Sequence, residues 1–165
     1  MTSISESIEI YKRQLEQGDI QKAYRGIMDF ILALRTYFQN RYPDYYVSGG
    51  IYYGYMDMTY FSFSPRPIRD KNLRIAIVFL HENFRFEAWL AGVNKKVQSE
   101  YWKLIKGSGW DKYSLVPTIK GADAIVEHIL VKEPDFSKPE ELTKIIERET
   151  LQFIHDIEVF LDSKE

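Results

Sequence analysis

The sequence predicts an α+β fold, and three observations carry that expectation. Between Ile51 and Ile105 lie three runs rich in aromatic and β-branched residues, each changing character at alternate positions. Segments with a helical period stand on either side of them, and glycine, proline and asparagine fall between the runs. The expected architecture is an N-terminal helical hairpin, an antiparallel β-meander of about four strands, and C-terminal helices packed on the sheet. A single α+β domain over residues 1–165 is expected, because independent cores usually take about 100–200 residues each.

Residues 4–16 place Ile4, Ile8, Tyr11 and Leu15 on one helical stripe, and Gly18 supplies the backbone that ends such a helix. From Ile20 to about Asn40 the apolar positions keep the same period, and Pro43 closes the segment. Gly49-Gly50 opens the sheet region. Read as one strand, Ile51–Ser64 puts Tyr53, Tyr55, Asp57 and Thr59 on one face and Tyr52, Met56, Met58 and Tyr60 on the other. A bulge near Gly54 would shift the first few residues across.

The next two runs give a definite register. Leu73–Leu80 pairs with the run from Phe84 to Ala91 around Glu82-Asn83. One face then collects Leu73, Ile75, Ile77, Phe79, Phe86, Ala88 and Leu90, all apolar. The other sets Arg74, Ala76, Val78 and Leu80 opposite Ala91, Trp89, Glu87 and Arg85. A slip by one residue would bury Glu87 among hydrocarbons, which the cost of an unpaired buried charge forbids. After Gly92 a helix follows, with Asn94, Lys95 and Gln98 near its start and Gly107-Ser108-Gly109 at its end. Lys112–Val116 reads as a short strand and Asp123–Val131 as a helix. The last helix starts at a Ser137/Glu140 capping box with Pro139 in the first turn.

Composition narrows the function classes. With no cysteine there are no disulfides, thiolate nucleophiles or sulfur-ligated metals, which fits a reducing, cytoplasmic location. No apolar run reaches about 18 residues, and the N-terminus lacks the basic and apolar stretches of a secretion signal, so no membrane role is expected. A net charge of −2 with mixed signs argues against a general nucleic-acid surface. Twelve tyrosines suit half-buried sheet faces, pocket walls and interfaces alike.

The stretches GDIQKAY (18–24), GYMDMTYF (54–61), IAIVF (75–79), FEAWLAGVNK (86–95) and YW (101–102) resemble a family of uncharacterised bacterial proteins known only as a domain of unknown function. The likeness spans nearly the whole chain. It implies a small intracellular bacterial protein and carries no activity, cofactor or catalytic residue with it.

Phosphate-binding loops of the GxxxxGK[ST] and GxGxxG types are absent, as is GxSxG. The three histidines, His81, His128 and His155, have no metal-ligand spacing and are expected on a turn and two helices. The preferred reading is a binding domain for a small polar ligand on the polar sheet face: Tyr53, Tyr55, Asp57, Thr59, Arg74, Arg85, Glu87 and Trp89, with Asn94, Lys95 and Gln98 at the rim. The acids accept hydrogen bonds or a cation, the arginines hold an anionic group, and the aromatics supply flat contact. An alternative is a divalent-metal-dependent, nuclease-like hydrolase using Asp57 and Glu87. There Trp89 stands where a lysine belongs, so Arg85, Arg74 or Lys95 would have to supply the charge. A third reading is a homodimer or protein-interaction module using the same aromatic face. No cofactor is indicated.

Overall fold

Residues 1–165 are described by a computed structural model, in which residues 1–34 and 35–165 form two compact units. The smaller unit holds helix α1 (Ile4–Gln17) and the first part of α2 (Asp19–Arg41). Helix α1 is secured at its ends. Glu6 N donates to Ser3 Oγ at 3.2 Å, Ser3 N donates to Glu6 Oε2 at 2.6 Å, and Gly18 closes the helix at φ 86°. None of its residues is buried, and the stripe Ile4, Ile8 and Tyr11 is exposed.

The larger unit is organised by one antiparallel sheet in the order β1-β2-β3-β4-β6-β5, with β1 Tyr46–Val47, β2 Met58–Ser64, β3 Leu73–Leu80, β4 Arg85–Gly92, β5 Ser114–Leu115 and β6 Val126–Val131. Helices α3 (Arg66–Asp70), α4 (Lys95–Ser108) and α5 (Pro139–Asp162) complete it. The β3–β4 register is the expected one, with Ala76 opposite Trp89, Val78 opposite Glu87 and Leu80 opposite Arg85. One face is the core: Phe61, Phe63, Ile75, Ile77, Phe79, Phe86, Ala88 and Leu90 are all buried. The Phe38 ring, from the last turns of α2, meets Phe63 at 4.5 Å, and α5 packs on β4 and β6. Tyr42 Oη donates to Glu147 Oε2 at 2.6 Å and Tyr37 Oη to Oε1 at 3.0 Å. Burial, and then the bond to Glu147, push the Tyr42 phenol up to about 12.

The structure corrects four expectations. Two strands beyond the expected four, the two-residue β1 and the six-residue β6, bring the sheet to six. The run from Ile51 is not one strand: Gly54 (φ 73°) and Met56 (φ 63°) reverse the chain, and Tyr52 and Tyr60 exchange backbone hydrogen bonds of 2.9 Å. Residues 126–131 are a strand rather than a helix, so His128 sits on β6. The four-residue spacing of Ile125 and Ile129 imitates a helical stripe, but β-branched Val126, Ile129 and Val131 instead extend the sheet beyond β4. Helix α5 lacks the expected capping box, because Ser137 N binds the Asp135 carboxylate at 3.0 Å and Lys138 takes the cap position.

Candidate functional site

Strand pairing assembles the second face of the sheet row by row. Met58, Tyr60 and Ser62 of β2 stand beside Leu80, Val78 and Ala76 of β3, and these stand beside Arg85, Glu87 and Trp89 of β4. Glu127 of β6 follows opposite Trp89. Small Ala76 between Ser62 and Trp89 leaves a floor, and a depression of about 110 Å³ opens there, bordered by Met58, Tyr60, Ser62, Arg74, Trp89 and Asp123. Arg74 is exposed at its edge, its guanidinium making no hydrogen bond or ion pair to any protein group. Asp123 comes from the loop between β5 and β6. Gln98 holds that loop: its Oε1 accepts from Gly92 N at 2.9 Å, and its Nε2 donates to Ala122 O at 2.8 Å.

Of the residues expected to share this face, Arg74, Arg85, Glu87 and Trp89 do. Glu87 is 2% exposed and satisfied, accepting from Arg85 Nε at 2.6 Å and Trp89 Nε1 at 2.9 Å. The structure thus spends this carboxylate on fixing the indole. Thr59 belongs to the opposite, core face, since it pairs with Phe79 while Tyr60 pairs with Val78. Tyr53, Tyr55 and Asp57 lie in the reversal before β2, with Tyr55 93% exposed. Asn94 caps α4 by accepting from Val97 N at 2.9 Å, Lys95 is exposed in the first turn, and Gln98 acts as the tether. Asp57 and Glu87 are therefore not brought together. The carboxyl beside Glu87 is that of Glu127, raised above the usual range by burial and then by Glu87. No group of three histidine, aspartate or glutamate side chains is arranged to hold a metal.

Asp57, Thr59 and His81 have the residue types of a hydrolytic triad but serve the backbone. Thr59 is fully buried and donates its only proton to Tyr53 O at 2.8 Å. The 2.9 Å contact to His81 Nε2 therefore requires that nitrogen to carry a proton, which removes it as a base for this hydroxyl. Asp57 accepts from Tyr55 N at 2.8 Å, and the backbone N–H groups of Tyr55 and Met58 hold its carboxyl below the usual value of 3.8. A carboxyl depressed on folding stabilises the fold above its unfolded value, and this is lost as pH falls through the folded one. The Tyr55 amide proton resonance is expected to titrate with a midpoint below 3.8, and to lose that titration in Asp57→Asn. A wild-type midpoint at or above 3.8 would contradict the assignment.

Sequence reasoning missed Met58, Tyr60, Ser62, Asp123 and Glu127. The first three stand at the alternate positions of β2, facing away from Phe61 and Phe63, whose buried rings mark the side of Thr59 as the core side. Asp123 and Glu127 were hidden by the reading of that segment as a helix.

Fold and site together define an α+β protein built on an antiparallel sheet whose second face is partly open. None of its helices is long and apolar enough to cross a membrane. The chain belongs to the family described as Domain of unknown function (DUF7000), matched over residues 4–161. No curated protein and no solved structure matches it.

Proposed function

We propose that this protein binds a small polar ligand on the open face of the sheet, over Ala76, between Tyr60 and Trp89. The observation that supports it is Arg74, a guanidinium with no protein partner at the rim of a concave, aromatic-walled depression. Glu87 strengthens the reading, because pinning Trp89 Nε1 at 2.9 Å pre-sets the wall before any ligand arrives. The hydrolase alternative loses its geometry with Asp57 and Glu87 apart, and the aromatic face offers less to a second copy than expected, since Trp89 is only 9% exposed.

A screen of small polar fragments by amide and indole NMR tests the proposal. Hits are expected to move Ser62, Ala76 and the Trp89 indole signal together. Arg74→Ala is expected to weaken anionic hits about tenfold or more, the loss of a charge-assisted hydrogen bond, without unfolding the protein. Hits that leave these signals unmoved while binding elsewhere would overturn it.

A further inference from the structure

Arg74 and Ser62 border a second hollow as well as the depression, and this second one is of a different kind. It is a groove of about 750 Å³ between β3 and α3, into which Arg66 and Arg69 also project. Three arginines face two aspartates there, Asp44 and Asp70, leaving a surplus of one positive charge. Asp70 is matched to Arg66 at 3.9 Å. Arg69 Cζ lies over the Tyr46 ring, 4.4 Å from its centre. A cation–π contact of this kind engages no carboxylate, so the guanidinium N–H groups remain for an oxyanion. Arg69 and Arg74 thus supply two forks without a carboxylate partner, more than a single carboxylate needs and suited to the several oxygens of a phosphate.

The two hollows meet at Ser62 and Arg74, so one molecule can occupy both. Resting on the ligand site proposed above, we infer that the ligand is a planar heterocycle carrying a phosphate, of the nucleoside monophosphate class. The ring lies over Ala76 between Tyr60 and Trp89, Asp123 accepts from a ring N–H or amino group, and the phosphate lies between Arg74 and Arg69. Neither end suffices alone: the depression is too small for more than a ring, and the groove offers no apolar wall beyond Leu73, Val93 and the Tyr46 ring that Arg69 covers.

Titration at fixed ionic strength with adenosine 5′-monophosphate, adenosine and inorganic phosphate, read by NMR, tests the inference. The monophosphate is expected to shift the Trp89 indole and the Arg69 and Arg74 signals at one common affinity, at least tenfold tighter than either adenosine or phosphate. Arg69→Ala, on the exposed side of α3, is expected to reduce that affinity about tenfold while adenosine binding stays the same. If the monophosphate moves no signal while neutral fragments still move Trp89, the phosphate assignment falls and the ligand site stands. If phosphate binds the groove as tightly as the monophosphate and Trp89 stays still, the groove is separate and the inference falls. If neither probes nor fragments move Trp89 or Ser62, both fail.

Discussion

Phe63→Ala is expected to destabilise the protein by about 4 kcal/mol, within the usual range for removing a buried phenyl ring and leaving a cavity. Phe63 is fully buried at the end of β2, with ring centres at 4.5 Å from Phe38, 4.7 Å from Tyr45 and 5.5 Å from Tyr42. These four rings come from two separate stretches of chain, residues 38–45 and β2, so none can follow the others into the void without dragging its backbone. A typical domain has only about 5–15 kcal/mol in total, so the loss is a large share of the whole. Urea unfolding followed by circular dichroism measures it, with Tyr55→Ala as the comparison. Tyr55 is 93% exposed, and its truncation is expected to cost less than about 0.5 kcal/mol. Equal costs at the two positions would mean that the aromatic layer is not packed as described.

Gly92→Ala is expected to cost about 3 kcal/mol for the opposite reason, an atom added where there is no room. A Cβ at Gly92 would stand 2.5 Å from Gln98 N, 2.9 Å from Gln98 Cα and 3.1 Å from Asn94 O. All three are backbone atoms of the α4 start, so no side-chain rotation relieves the clash. The substitution reaches the ligand face through the Gln98 side chain, which bonds Gly92 on one side and Ala122 on the other. Denaturant unfolding is expected to show the lost stability, and the Asp123 amide signal to shift although it is thirty-one positions away in sequence. A neutral Gly92→Ala with Asp123 unmoved would contradict the tether.

Much of the larger unit was legible from residue order. The β3–β4 register followed from a single constraint, keeping Glu87 out of the hydrocarbon layer, and all eight pairs from Leu73↔Gly92 to Leu80↔Arg85 obey it. Helix ends marked by Gly18, Asn94 and Gly109 fell where their backbone preferences put them. The candidate site was half legible. Arg74, Arg85, Glu87 and Trp89 follow from that register, whereas the β2 contribution depended on which of its faces meets the core, and the length of β2 on where the strand begins. Two left-handed residues, Gly54 and Met56, set that start, and one of them is a methionine that no turn preference would single out. Strand β6 was obscured because a short apolar run satisfies both periods, and only the vacant side of β4 decides between them.

Helix α1 has a different thermodynamic standing from the rest of the chain. Fourteen residues are marginal for a helix in water, and with no buried side chain its persistence depends on local contacts: the Ser3–Glu6 box, the Lys12–Glu9 pair, the Gly18 turn and the Gln21 bond to Leu15 O. Held by local contacts alone, a helix of this kind opens at low free energy: it frays and re-forms as a local event, and its amide protons exchange early.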